Sequence, residues 1–237
     1  MAQNLVSSSI GRKVLMALSG FFLMVFLLQH FSINLLSVIG ADLFNEVSHF
    51  MGTNPLIQFV LQPILIAGFM FHLFMGIYLD FKNNKARPIK YAMDKPSANS
   101  NWMSRNMIIS GLMIFLFLGL HFYDFWFPEI NIKFIKGDWT GLNDTQDPKS
   151  GYRYLEELNH KFHDLWRVII YCIAFIFLSL HLLHGFQSAF QSAGFNSNKY
   201  TPSIKLISNI YAIVIPLGFI FIALFHYFNQ IPIKTEF

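Results

Sequence analysis

VIIYCIAFIFLSLHLLHGFQ, residues 168–187, runs for twenty positions without an Asp, Glu, Lys or Arg. A helix needs about 18 to 20 largely apolar residues to cross the hydrocarbon of a bilayer, so this stretch reads as a membrane span. Working outward, four more uncharged runs lie at about 14–39, 54–79, 106–123 and 206–228. Pro55 opens the second and Pro63 is expected to kink it, while Pro216 lies inside the fifth, as prolines do in membrane helices. The predicted fold is all-α: an integral membrane bundle of five transmembrane helices, with 1–237 forming a single transmembrane domain. Composition agrees, with 54% apolar and 13% charged residues where a soluble domain carries about 25% charged.

The basic residues set the orientation. Arg12 and Lys13 precede the first span, Lys82, Lys85, Arg87, Lys90, Lys95 and Arg105 lie between the second and third, and Lys199 and Lys205 lie between the fourth and fifth. By the positive-inside rule the N-terminus is cytoplasmic and the C-terminus outside. This explains the net charge of +4 without a nucleic-acid partner. The first apolar run is too long for a cleavable signal and is expected to remain as a helix. On the outer side, residues 127–167 are too many for a plain connection. Residues 137–144 are turn-rich, whereas Tyr154, Leu155, Leu158, Phe162 and Leu165 follow helical spacing, so a short surface helix is expected to lead into the fourth span. The single cysteine, Cys172, excludes an intrachain disulfide and a cysteine framework for zinc or iron–sulfur clusters.

Six of the nine histidines lie in or at the ends of the apolar runs: His30, His72, His121, His181, His184 and His226. An ionisable residue in a span suggests function, although a lone membrane histidine also serves as a hydrogen bond to a neighbouring helix. Depth distinguishes the two readings. At a rise of about 1.5 Å per residue, His30 and His121 lie roughly 24 Å from the cytoplasmic edge, and His72 and His181 reach a shared level nearer that edge. Each pair joins two helices, as two imidazoles must to grip a haem iron from opposite faces. Gly20, Gly68, Gly76, Gly111, Gly119 and Gly185 would admit a flat macrocycle. His184 follows His181 by three residues and competes with it as the inner ligand, while His226 is expected at the outer interface.

With these residues the chain resembles the membrane-anchor cytochrome b subunit of succinate dehydrogenase and fumarate reductase, in its five-helix, two-haem form. The stretches that carry the resemblance are LLQHF at 27–31, FHLFMG at 71–76, GLHFYDFW at 119–126, LHLLHGFQSAFQ at 180–191 and GRKVLMALSG at 11–20. It implies two haem b groups with His30, His72, His121 and His181 as axial ligands to their iron, helix one pairing with three and two with four. It also implies a flavoprotein with FAD and an iron–sulfur subunit as partners on the cytoplasmic side. The chain is then a subunit of an oxidoreductase in the inner (cytoplasmic) membrane of a bacterium, in contact with lipid and with quinone, menaquinone being the expected species. Arg12, Ser19, Arg87 and Arg105 are candidates to hold haem propionates, since guanidinium forks and hydroxyls suit carboxylates.

Quinone chemistry exchanges protons, and Glu46, with His49 three residues on, is the candidate acceptor; an ordinary solvated loop acid is the competing reading. The residues before His181 are Leu178, Ser179 and Leu180, so the helix-four glutamate that some relatives carry is missing here. Two other assignments compete with the whole. The cytochrome b subunit of a membrane hydrogenase or formate dehydrogenase would differ in its soluble partners. A non-haem transporter is disfavoured by uncharged spans and the lack of an internal repeat.

Overall fold

The structure is a computed structural model and describes residues 8–85, 107–147, 149–195 and 197–229. Apart from one isolated antiparallel bridge, Leu142 with Tyr152, the described regular structure is helical. Helix α1 (Ser9–Ile39) starts where the Gly11 N–H donates to the Ser8 hydroxyl at 2.9 Å, an N-terminal cap. It stops before Gly40, whose extended backbone starts α2 (Ala41–Thr53), a helix not anticipated between the first two spans. Asn54 then ends one helix and begins the next. Its N–H donates to the Phe50 carbonyl, and its Oδ1 accepts from the Leu56 and Ile57 amides at 3.0 and 3.3 Å. Pro55 follows at the position where a missing N–H costs nothing.

Both prolines near the second and third spans are accommodated by widening the helix. A π turn, Ile57–Leu61, precedes α3 (Gln62–Lys85), whose second residue is Pro63. In the third span α4 (Met107–His121) passes into a π turn, Phe122–Trp126, then the short helical turn Phe127–Ile130 containing Pro128, then a second π turn, Asn131–Ile135. Loosening to a π turn removes the clash between a proline ring and the carbonyl four residues earlier. The third helical run thus reaches Ile135, well past the boundary expected at Tyr123. Asp124, Glu129 and Lys133 did not end it because each has a partner within the fold, described below. Beyond it come α5 (Tyr154–Phe162), the expected surface helix, then α6 (Leu165–Ser192) and α7 (Thr201–Phe228). Among the described residues five helical stretches are long and apolar enough to cross a membrane. Large side chains such as Val25, Phe74 and Leu116, 60 to 70% exposed, are the surface that lipid rather than water would cover.

The chain divides into two compact units, and each long helix gives part of its length to each. The first comprises Met1–Leu27, Ile64–Met113 and Phe177–Val214. Its core is Ala17, Met24, Leu182, Phe186, Ala189 and Ala212, with Phe21, Phe190 and Tyr211 packed against it. Between apolar helices the attraction comes from close packing and from polar groups bonded across the contact. The Tyr211 hydroxyl donates to the Met24 carbonyl at 2.6 Å, and the Ser179 hydroxyl donates to the Ala212 carbonyl at 2.7 Å.

The second unit comprises Leu28–Pro63, Ile114–Ile176 and Ile215–Phe237. Aromatic rings fill it: Phe175 stacks on Phe219 at 5.1 Å, and Tyr171 meets Phe117 and Phe162 edge-on at 4.8 and 5.2 Å. Gly218 packs against the Phe31 ring, whose edge takes the space a Cβ at that position would need. Buried Asp124 accepts from the Tyr171 hydroxyl at 2.9 Å and lies 3.1 Å from Arg167 Nε, whose Nη1 reaches Asp164 at 2.7 Å. Glu129 pairs with Lys133 and with Arg153, both at 2.6 Å, and Lys133 also donates to the Gly52 carbonyl. Asn45 of α2 ties down the segment that leads into α5, donating to the Tyr152 carbonyl and accepting from the Leu155 amide, each at 2.9 Å.

Candidate functional site

Within the first unit the imidazoles of His72 on α3 and His181 on α6 face each other, ring centres 6.4 Å apart and planes at 69°. Within the second, His30 on α1 and His121 at the end of α4 do the same at 5.8 Å and 85°. Two imidazoles bonded to one metal from opposite sides, with metal–nitrogen bonds of about 2 Å, hold their centres about 6 Å apart, so both separations suit a shared ion. Among the described residues no group of three or more His, Cys, Asp or Glu side chains could hold a metal. A metal between either pair therefore needs its remaining donors from a cofactor, as a haem iron obtains them from its macrocycle.

The pair in the first unit is wired through its outer ring edges. Ser19 Oγ lies 3.0 Å from His72 Nδ1, and Ser110 Oγ lies 3.2 Å from His181 Nδ1. Both hydroxyls also donate 2.9 Å to the carbonyl one turn back, of Met16 and of Met107. The next residue in each helix is a glycine. A Cβ at Gly20 would stand 3.6 Å from His72 Cε1, and a Cβ at Gly111 would stand 3.6 Å from His181 Cε1. One Ser-Gly dipeptide on α1 and another on α4 therefore cradle one imidazole each. The ring that faces His72 is that of His181; His184, one helical turn on, is half-buried.

The pair in the second unit sits in an aromatic box. Phe219 lies 5.8 Å from His30, and Phe117, Phe125 and Tyr171 lie 5.9, 5.3 and 6.3 Å from His121. The amide of Asn34 approaches both ring nitrogens of His30 at 3.4 Å while donating to its carbonyl at 2.8 Å. Among the described residues His121 Nδ1 is buried without a hydrogen-bond partner, a costly state for a polar atom. The π turn that begins at Phe122 follows this histidine directly, and such turns recur at functional sites.

The remaining candidates fall elsewhere. Arg12, at the start of α1, donates to Ser9 Oγ at 3.3 Å and stands 6.0 Å from the Tyr78 ring, beside a cavity of about 390 Å³ lined also by Phe71, Phe74 and Met75. Arg87 and Arg105 lie outside the described residues. Glu46 is exposed on α2, whereas His49, on the same helix, stacks on Tyr152 at 4.2 Å. Burial lowers the His49 pKa, and the Lys133 charge lowers it further. His226, expected at an interface, is only 4% exposed: its Nε2 lies 2.8 Å from Ser37 Oγ and its Nδ1 lies 2.7 Å from Asn159 Oδ1. Sequence reasoning missed that contact; it set Ser19 beside the propionates and did not anticipate that Ser19 meets His72 and Ser110 meets His181. The recurrence of Ser-Gly at 19–20 and 110–111, on α1 and α4, was the available signal for the serine contacts.

No protein-family model matches the chain, and no solved structure matches it. Over 102 residues, 42% of this chain, it is 26% identical to the succinate dehydrogenase cytochrome b558 subunit of Bacillus subtilis (strain 168). That stretch is 46% of the length of the Bacillus protein, so the match spans about half of it.

Proposed function

We propose that the chain is the membrane-anchor, dihaem cytochrome b subunit of a succinate:quinone oxidoreductase. The observation that carries the reading is the pairing of four histidines, from four different spans, into two facing couples. The likeness to a succinate dehydrogenase cytochrome b subunit supports the choice of complex. In the proposed topology the N-terminus is cytoplasmic and the C-terminus outside. His72 and His181 are then the inner ligands and His30 and His121 the outer ones. The flavoprotein with FAD and the iron–sulfur subunit bind on the cytoplasmic side, where Lys82 and Lys85 end α3, in the inner membrane of a bacterium.

Haem b at these positions would carry single electrons between the iron–sulfur partner and a membrane quinone, menaquinone being the proposed one, in succinate oxidation or fumarate reduction. The chain itself does the holding. Its imidazoles supply nitrogen donors from opposite sides, its glycines leave the ring edges clear, and its aromatic side chains exclude water. Arg12, with Arg87 and Arg105, is proposed to meet propionates, and Glu46 with His49 to take up protons beside the quinone. The succinate-oxidising site belongs to the flavoprotein partner.

The test is to purify the complex in detergent, extract haem, and follow its reduction by succinate. Two b-type haems per chain, both reduced by succinate, are expected. No haem in an assembled complex would overturn the dihaem reading. Haem accompanied by hydrogenase or formate dehydrogenase subunits would overturn the choice of complex.

A further inference from the structure

We infer that Ser19 and Ser110 are positioning residues for the His72/His181 couple: each accepts the Nδ1–H of one imidazole and so leaves its Nε2 lone pair as the only donor to a shared iron. The inference rests on the dihaem reading and deepens it. A serine hydroxyl has one proton. In Ser19 it goes to the Met16 carbonyl at 2.9 Å and in Ser110 to the Met107 carbonyl at 2.9 Å, the usual back-bond of a serine within a helix. Each oxygen therefore turns a lone pair to the histidine, 3.0 Å from His72 Nδ1 and 3.2 Å from His181 Nδ1, and the nitrogen opposite must carry the hydrogen. The tautomer is thus set for both rings before any cofactor binds.

The arrangement acts on both geometry and basicity. An imidazole fixed as the Nδ1–H tautomer can coordinate only through Nε2, and a hydrogen bond from its far N–H makes it a stronger electron donor to the metal. A stronger donor favours ferric over ferrous iron. In the His30/His121 couple, by contrast, His121 Nδ1 is buried without a hydrogen-bond partner among the described residues. That couple serves as an internal control in the same molecule.

The experiment is a redox titration of the intact complex, with the two haems told apart by which absorption is lost in His72→Ala. Ser19→Ala and Ser110→Ala are each expected to move the midpoint of that haem to a more positive potential while the other haem keeps its own. Ser19→Thr and Ser110→Thr, which retain the hydroxyl, should restore the original value. Unchanged midpoints in both alanine variants would overturn the inference, as would equal shifts of both haems or threonine variants as displaced as the alanine ones. Each serine is tested separately, so if one alanine variant fails to assemble, the other decides. Failure of both, with both haems lost, would assign the serines to packing and overturn the positioning role. A wild-type complex without haem would instead defeat the dihaem reading, and that is seen before any serine is changed.

Discussion

The two histidine couples are held by different physics. In the first unit each ring is gripped at its outer nitrogen by a serine that is itself bonded to a helix carbonyl. In the second the rings are wedged among Phe117, Phe125, Tyr171 and Phe219, and among the described residues His121 Nδ1 has no hydrogen-bond partner. A directional contact sets which atom points inward and tolerates some looseness around it. A packed box sets where the ring lies through volume alone, so it responds to the loss of a neighbour rather than of a hydrogen bond.

The largest effects come from removing a ring. On the proposed dihaem reading, His72→Ala or His181→Ala should take haem content from two per chain to one, as should His30→Ala or His121→Ala, with loss of a different absorption in each couple; extraction and difference spectra read both. Loss of both haems from any single variant would dissolve the independence of the couples. If His184→Ala removed a haem and His181→Ala did not, the facing ring would not be the ligand.

Next in size is the box. Phe219→Ala removes the ring stacked on Phe175 at 5.1 Å and lying 5.8 Å from His30, at a cost of about 3 to 5 kcal/mol for a buried phenylalanine. Thermal unfolding in detergent should record the loss, and the haem removed by His30→Ala should be the one weakened. An equal effect on the His72/His181 haem would break the contrast between wired and packed couples.

Asp124→Asn is expected to be milder. It leaves Arg167, whose side chain is 11% exposed, with Asp164 as its remaining carboxylate. Breaking a buried ion pair costs about 3 to 5 kcal/mol when no partner remains; the second carboxylate should hold the loss to about 1 to 3 kcal/mol. A variant as stable as the parent would show that the Tyr171 hydroxyl and Asp164 suffice.

The smallest effect concerns α2. Because burial, then the Lys133 charge, lowers the His49 pKa, the folded state resists a proton that the unfolded chain accepts near its ordinary value of about 6.5. The sign follows: above that pH His49 contributes no pH dependence, and as pH falls below it stability is lost. Amide exchange over α2 should quicken between pH 7 and 5, and His49→Phe, which keeps a ring against Tyr152, should flatten the response. An identical response in that variant would remove His49 as its cause.

Much of this protein was legible in its sequence because a bilayer penalises any unpaired polar group. The runs around Val168 and Leu206 had to be helices, and histidines surviving in such runs stood out. The pairing of His30 with His121 and of His72 with His181 could be read as depth, since a helix rises by a constant amount per residue. The same logic misplaced the end of the third helix, where cutting at Asp124 presumed an unpaired charge. Tyr171, Arg167 and Arg153 supply the partners that let the helical run continue to Ile135. It also left α2 unseen, because that helix lies outside the uncharged runs and, unlike α5, was not read from its helical spacing.

The sequence by itself determined the helical class, the number of apolar spans and the positions of the four histidines along them, because each depends on local composition and a fixed rise per residue. Only the tertiary structure decided which side chains meet. That Ser19 faces His72 across 53 positions, Ser110 faces His181 across 71, and Ser37 faces His226 across 189 depends on how each helix is rotated about its axis. That rotation is set by the packing of every neighbour at once.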